Sequence, residues 1–370
     1  MAEPEGQVAG AQGIRSMRVR VGEGGGRGDA TPFNYCTGMK RAILLGAGLL
    51  AAMLASAPRP AWAAATEAAE LAACVRLFEA HGFEEAQGCF AGYVARQPAD
   101  AVALSYLGRT CFERRQAPEA IRWLERAVAR APGSSEFHDW LGRAYGIAAE
   151  RAAVVRQLDL AVRARKEFER AVALDPANLD ALEDLIEFEV QAPPLLGGSL
   201  DKAQRHAAEI ERRDPLRGRL ARAEVLLRRP GGGPQAALSE LRGAAADFPG
   251  DPRPRLALAA AHAGAGGYAA AFDELEAVLR LDPGNADAHR QFARTAALSG
   301  RRLDRAAELL SRDLLLWPPG DGAALADGHF DLASVLERKG DRAGARGHYQ
   351  EALRLDPGSA AARAALRRLR

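Results

Sequence analysis

The chain has 370 residues, of which 48% are apolar and 6% aromatic, and its 50 Lys and Arg nearly balance its 48 Asp and Glu. A nearly neutral chain gives no electrostatic reason to expect nucleic acid as a partner, because nucleic-acid-binding domains usually carry a basic face. Alanine, leucine, arginine and glutamate dominate. These residues lose little free energy on entering a helix, so the composition predicts an all-α fold.

The amino-terminal segment resembles an export signal placed late in the chain. Residues 1–38 are rich in glycine and have no apolar period, whereas residues 39–41 read Met-Lys-Arg and precede an apolar run over 42–54. An Ala-Trp-Ala sequence follows at 61–63. A basic start, a short apolar run and an Ala-x-Ala end are typical of a secretory signal peptide. We expect 1–38 to be a disordered leader upstream of the true start and 39–63 to be a cleaved signal.

The alternative for this segment is a membrane anchor formed by residues 42–57. That run is short for the roughly 20 residues that a bilayer requires, and Pro58 and Pro60 close it. We therefore expect the mature chain, 64–370, to be periplasmic or secreted. Membrane contact is expected only if the signal segment stays uncleaved.

The rest of the chain repeats itself at a fixed spacing. Residues 171–176, 278–283 and 352–357 all end in Leu-Asp-Pro, and prolines recur 34 residues apart, for example at Pro98 and Pro132. Further helix ends are expected at Pro215, Pro249 and Pro318. A period of this length indicates an array of helical repeats. Proline ends a helix because it lacks an amide hydrogen and restricts the residue before it.

Apolar and small residues also recur inside each unit, and they carry a resemblance to a known family. The last unit has Leu332, Gly340, Ala345, Tyr349 and Pro357 in order. This order resembles the tetratricopeptide repeat, whose pattern runs large apolar, Leu-Gly, Tyr, Ala, aromatic, Ala and Pro. The resemblance implies an α-solenoid, a right-handed superhelix of about eight helix-turn-helix repeats, with a capping helix at the carboxyl end.

The register of this pattern divides the chain into eight units and a cap. The units are 67–100, 101–134, 135–178, 179–217, 218–251, 252–285, 286–320 and 326–359, and the cap is 360–370. Two units are longer than the others. The third has extra residues around 148–162, and the fourth carries a loop over 191–199 between its helices.

Histidines are the first candidates for chemistry, but the repeat accounts for most of them. His138, His289 and His329 occupy the first large-residue position of a first helix, and His262 stands where the family usually has Tyr. Packing therefore explains them better than catalysis. The sequence has no His-x-x-x-His pair with a glutamate, no Cys-x-x-Cys and no phosphate-binding loop. We expect no enzyme activity, no metal and no cofactor.

Three cysteines lie within the predicted repeats. Cys74 and Cys89 belong to the two helices of the first unit, which the family packing places face to face. In an oxidising compartment these two thiols could form a disulfide. The alternative is that they are small buried thiols, as we expect for Cys111.

The family resemblance also implies a binding surface, because the first helices of such repeats line a concave face that binds extended peptides or partner helices. Seven arginines fall on that face by register: Arg109, Arg143, Arg219, Arg222, Arg253, Arg290 and Arg294. A guanidinium binds a carboxylate through two N–H groups, so an arginine-lined groove suits an acidic protein or peptide. The alternative is that these arginines are ordinary solvated side chains.

The repeats and the signal together predict a non-catalytic protein–protein interaction scaffold that acts outside the cytoplasm. The alternative is an accessory subunit of an envelope enzyme complex, in polysaccharide synthesis or export or in cytochrome maturation. In that case the repeats would position a partner that carries out the chemistry. A fold of this kind sets the mode of binding without identifying the ligand.

Overall fold

The computed structural model describes residues 61–316 and 322–369. Residues from Ala61 onward form one compact unit. The described residues contain seventeen α-helices, one short 3-10 helix and no β-strand, so the predicted all-α solenoid is confirmed. The predicted leader, and the predicted signal as far as residue 60, lie outside the described residues. Among the helices in the described ranges, none combines the length and apolarity needed to cross a bilayer.

The helices pair into eight hairpins, and a single helix follows the last of them. The first four hairpins are α1 Ala61–Glu79 with α2 Phe83–Arg96, α3 Ala101–Glu113 with α4 Ala117–Arg130, α5 Ser135–Glu150 with α6 Val154–Leu174, and α7 Leu179–Gln191 with α8 Leu200–Glu211. The next four are α9 Pro215–Arg228 with α10 Gly233–Asp247, α11 Arg253–Gly264 with α12 Tyr268–Leu281, α13 Ala286–Ser299 with α14 Leu303–Leu316, and α15 Gly322–Lys339 with α16 Arg342–Leu355. The last helix is α17 Ala360–Arg368.

Capping side chains fix where several of the odd-numbered helices begin. Asp100, Asn178 and Asn285 each accept a hydrogen bond from the backbone amide three residues later, at 3.0, 3.1 and 2.9 Å. Such a cap satisfies an amide that the helix itself leaves unpaired and contributes about 1 kcal/mol. Each capping residue follows a proline by two residues. The end of one hairpin and the start of the next are therefore encoded within a few positions.

Pro215 departs from this scheme. We expected it at the end of a helix, but α8 ends at Glu211 and Pro215 is the first residue of α9. Proline suits that position because the first amide of a helix needs no intrahelical partner and the fixed φ is already helical. Asp214 caps the helix by accepting from the amide of Arg217 at 3.0 Å. The fifth hairpin therefore begins at 215, three residues before the expected boundary at 218.

The extra residues of the third unit lengthen its helices. The helix α5 continues to Glu150, and α6 has 21 residues. In the fourth unit, the connection between α7 and α8 contains the 3-10 helix Pro194–Leu196. The guanidinium of Arg165, on α6, donates to the carbonyl oxygen of Leu196 at 3.1 Å. The two departures from the repeat therefore contact each other.

Glycine sets the spacing within the hairpins at two positions. A Cβ atom on Gly108 would lie 2.5 Å from Cγ of Leu124, and one on Gly142 would lie 2.6 Å from Cε1 of Phe168. Leu124 and Phe168 are both buried on the second helix of the same hairpin. Real Cβ atoms essentially never approach a neighbour this closely, so these glycines let the two helices of a hairpin meet.

Candidate partner-binding groove

The odd-numbered helices line one side of the array. The odd-numbered helices of neighbouring hairpins contact one another, most extensively α13 and α15, whereas neighbouring even-numbered helices make no comparable contact within the described residues. A stack of hairpins curves toward the set of helices that lies closer together. The inner face made by α1 to α15 is therefore concave, and we call it the candidate groove.

Arg109, on α3, lies among aromatic rings. Its guanidinium carbon is 5.2, 4.6 and 4.5 Å from the ring centroids of Phe78, Tyr106 and Trp140. It also pairs with Glu136 at 2.7 Å, and 16% of its side chain is exposed. Contacts of a guanidinium with ring faces are favourable because the face of an aromatic ring is electronegative. Arg109 therefore connects the first three hairpins through one side chain.

Arg143, on α5, is held between two carboxyl groups. It pairs with Asp139 at 3.2 Å and forms a short hydrogen bond to Asp184 on α7. Asp139 is buried, and burial raises the pKa of its carboxyl to about 8, with the nearby Asp184 adding to the rise and Arg143 opposing it. The two carboxyl groups disfavour each other's ionisation because like charges lie close together.

Arg219 and Arg222, on α9, share one acid on α10. Arg219 binds Glu240 at 2.7 Å and Asp247 at 2.5 Å. Arg222 binds Glu240 at 2.8 Å and Glu211 at 2.7 Å. These arginines lower the pKa of Glu240 against the opposing effect of burial. Both side chains are therefore parts of a network that joins α8, α9 and α10.

The remaining three arginines have simpler surroundings. Arg253 pairs with Asp251 at 2.8 Å and Arg290 with Asp287 at 2.7 Å, in each case with an acid two or three residues away. Arg294 pairs with Asp331, on α15, at 3.2 Å and keeps 57% of its side chain exposed. All seven predicted arginines thus pair with acids of this chain, and they are spread over five helices instead of forming one cluster.

A row of acids lies in the middle of the array, on α7, beside the predicted arginines of α9. Arg217 pairs with Glu183 at 2.7 Å and with Asp180 at 2.5 Å. Glu224, on α9, has no ion-pair partner within the described ranges, and burial raises the pKa of its carboxyl, with Glu187 adding to the rise. The groove is therefore more acidic around α7 and α9 than around α11 and α13.

Three of the predicted packing histidines also bind polar groups on the second helix of their own hairpin. His138 Nδ1 lies 2.6 Å from Glu167, and His289 Nδ1 lies 2.8 Å from Asp313. His329 Nδ1 lies 2.9 Å from Nδ1 of His348. Burial lowers the pKa of His329 and of His348. Within the described part of the chain, no three His, Cys, Asp or Glu side chains form a group that could hold a metal ion.

The carboxyl end of the groove contains a cavity of about 830 Å³ between α13 and α15. Arg294, Asp331, Leu298 and Phe330 are among the residues that line it. Leu298 is 62% exposed, so this part of the groove offers apolar surface beside charge. The combination suits a peptide side chain with an apolar stem and a charged end.

Cys74 and Cys89 form a disulfide between α1 and α2, with their Cα atoms 5.5 Å apart. That separation lies in the normal range for disulfides. Cys111 is a free, buried thiol, and burial raises its pKa to about 11. Cys111 therefore stays protonated and unreactive at neutral pH.

The stacked hairpins and their concave inner row define an α-solenoid of helix-turn-helix repeats. Two family models, both described as the tetratricopeptide repeat, match residues 71–135 and 326–359. The chain therefore contains tetratricopeptide repeats at both ends of the array. Repeats of this family mediate protein–protein interactions, so the chain has the architecture of an interaction scaffold.

Solved structures of similar proteins share little sequence with this one. A thermophilic tetratricopeptide protein of Thermus thermophilus is 19% identical, with 62% of this chain and 98% of that chain covered and a TM-score of 0.40. A tetratricopeptide protein of Parabacteroides merdae is 11% identical, with 82% and 98% covered and a TM-score of 0.45. A chain of the APC/C hetero-tetramer Cut9–Hcn1 is 18% identical, with 81% and 55% covered and a TM-score of 0.41. No curated protein matches this chain in sequence.

Proposed function

We propose that the protein is a non-catalytic scaffold whose candidate groove binds a peptide or a helix of a partner protein. The observation that carries this proposal is the continuous inner face of odd-numbered helices, which presents charged side chains and one large cavity. An extended segment can lie along such a face and contact several repeats at once. The array leaves no span of the described residues for a separate catalytic domain.

The ion pairs in the groove indicate which arginines are available to an acidic partner. Arg109, Arg143, Arg219 and Arg222 hold neighbouring helices together, so a ligand would have to disrupt packing to reach them. Arg253 and Arg294 keep 50% and 57% of their side chains exposed. Exposed ion pairs contribute only about 0–1 kcal/mol, so a partner carboxylate can replace the internal one at little cost. We therefore place an acidic segment on α11 and α13.

The test measures binding of a fluorescent acidic peptide to the full chain by anisotropy. Arg253→Glu and Arg294→Glu together should weaken binding at least about tenfold, because each reversal replaces attraction by repulsion. Arg354→Glu is the matched control, since Arg354 lies on the even-numbered helix α16 and pairs there with Glu351, three residues away. Equal affinities for the wild type and the double variant would refute the placement. Tighter binding of a basic peptide would instead assign the acidic row around α7 and α9 as the principal contact.

We also propose that the protein acts outside the cytoplasm after removal of residues 39–63. The signal-like sequence supports this location, and the Cys74–Cys89 disulfide is of a kind that persists in oxidising compartments. Mass spectrometry of the protein from the envelope fraction tests the proposal. An amino-terminal residue near position 64 is expected, and recovery of the protein from the cytoplasmic fraction with residues 39–63 intact would contradict it. Capture of an envelope enzyme by the full chain would favour the accessory-subunit role.

A further inference from the structure

Two early hairpins contact the last one across more than two hundred residues of sequence. Arg115, in the turn between α3 and α4, binds Asp356 at 3.0 Å and Asp327 at 2.5 Å. Arg151, in the turn between α5 and α6, binds the same Asp356 at 3.3 Å. The two arginines lie on one edge of the array, where odd helices lead into even ones. Asp356 follows α16 on the opposite edge, so the array comes back onto itself.

Arg115 occupies a left-handed backbone conformation that three later hairpins give to glycine and that the first hairpin gives to His81. Its φ is +57°, in the left-handed region, and it ends the turn between two helices of a hairpin. The turns of three later hairpins use Gly266, Gly300 and Gly340, and Arg302 is a second left-handed residue in the turn that holds Gly300. A residue with a Cβ atom costs free energy in this conformation, and such strain persists where the side chain has a use. In Arg115, the side chain brings its guanidinium into contact with the eighth hairpin.

Arg151 is supplied by the lengthened third unit. The extension carries α5 as far as Glu150, and the turn that follows it holds Arg151 against Asp356. A Cβ atom on Gly358 would lie 3.2 Å from Nη1 of Arg151, so this guanidinium lies directly against the chain that follows α16. One role of the extension is therefore to span the gap between the third and eighth hairpins.

Asp356 differs from the equivalent aspartates of other repeats. Asp175 and Asp282 stand in the same Leu-Asp-Pro sequence, and both are exposed. Asp356 is 7% exposed, because the two arginines cover it. Its other oxygen accepts from the amide of Gly358 at 2.9 Å, as Asp282 does from Gly284 at 3.1 Å. The local turn is thus the same, and only the contact with the early hairpins distinguishes Asp356.

This junction consists of side chains around a cavity, without extensive helix packing. The cavity measures about 400 Å³, and its lining includes Phe83, Glu84 and Ala323 from both sides of the junction. Arg115, Arg151 and Asp327 keep 28%, 39% and 35% of their side chains exposed, so salt can screen their ion pairs, whereas buried apolar packing is not screened. The junction is therefore the contact in the array that salt and a competing charge can open most easily.

We propose that Arg115 and Arg151, together with Asp327 and Asp356, form a latch that holds the array closed on itself and fixes the curvature of the groove. With the latch formed, α7 to α13 are held between two fixed ends. Release lets the hairpins move apart, because each hairpin contacts mainly its neighbours. The latch thus controls how large a partner segment the groove accepts. The proposed role of the latch does not depend on whether the partner segment is acidic or basic.

The test measures the distance across the junction by pulsed electron paramagnetic resonance on the full chain. Spin labels are attached at Glu119→Cys on α4 and Ala360→Cys on α17, both exposed, in a Cys36→Ser background. Cys111 is buried and protonated, so it does not react with the label. We expect one short distance at low salt, and its loss in favour of longer distances at about 1 M salt, where the Debye length is about 3 Å.

Two variants separate the latch from effects on folding. Asp356→Asn keeps the oxygen that binds the Gly358 amide but removes the charge, and Arg115→Gly removes the guanidinium while relieving the left-handed backbone. Both should lose the short distance with unchanged helical circular dichroism. Asp282→Asn and Arg302→Gly, which make the same changes away from the junction, should keep it. A short distance that persists in both Asp356→Asn and Arg115→Gly would overturn the proposal.

Discussion

Replacement of Gly142 by alanine tests whether this glycine is required for the contact between α5 and α6. An added methyl group would lie 2.6 Å from the ring of Phe168, which is buried on α6. Overpacking of this kind costs about 1–3 kcal/mol. Alanine gains about 0.5–1 kcal/mol over glycine in the middle of a helix. The net expectation is therefore a destabilisation of up to about 2.5 kcal/mol.

Gly146, one turn later on the same helix, is the matched control. A Cβ atom there meets nothing within 4 Å, so Gly146→Ala should stabilise the protein through the higher helix propensity of alanine alone. The two variants should thus differ by about 1–3 kcal/mol, which is the overpacking cost alone. Thermal and urea unfolding followed by circular dichroism at 222 nm measure both. Equal stabilisation by the two substitutions would refute the assigned role of Gly142.

Three further predictions concern buried charge and the disulfide. The pKa of Asp139 rises to about 8 in the folded state, so its carboxyl stays protonated in the folded protein at pH values where the unfolded chain has lost the proton. The free energy of unfolding should therefore fall as pH rises from about 4 to 8. Asp139→Asn should reduce this fall and raise the free energy of unfolding at pH 8 by at least about 1 kcal/mol. The pKa values of His329 and His348 are lowered in the folded state, so the unfolded chain binds protons more readily and stability should fall as pH drops below about 6.5. Chemical unfolding at several pH values should show a weaker pH dependence for His329→Phe. Replacing Cys74 and Cys89 by serine should lower the free energy of unfolding by up to about 3 kcal/mol, because the disulfide closes a loop of 15 residues. The loss should be detected first as faster amide exchange in α1 and α2.

The repeat itself was predictable because its signals are local. Proline spacing and the recurring apolar and small residues each act within a few positions, and the all-α solenoid that they predict is confirmed. Pro215 shows the limit of such signals. Proline is compatible with the position after a helix and with its first residue, so only the neighbouring cap at Asp214 decides between the two. In the third unit, the sequence indicated extra residues but not that they would extend both helices.

The candidate site was less predictable, because ion pairs depend on where side chains meet in space. The register placed Arg143 and Arg222 on first helices, yet their partners Asp184 and Glu240 lie 41 and 18 residues away. His138 and His289 are buried at the predicted packing positions, but no sequence signal connected His289 with Asp313 or His329 with His348. An early hairpin meets the eighth only because small rotations accumulate over every intervening hairpin. No local sequence pattern encodes this accumulated rotation.

The departures from the repeat are where this chain gains contacts that a regular array lacks. A left-handed glycine would serve the turn before α4 as well as Arg115 does, and a unit of ordinary length would serve the stacking of α5 and α6. Each departure costs free energy or adds chain, and both place a guanidinium against the same carboxylate. Stacking alone gives no reason for Arg115 and the lengthened third unit both to reach Asp356. Convergence is expected if the closed form of the array is itself useful, since each arginine alone would leave a partly exposed pair of little strength.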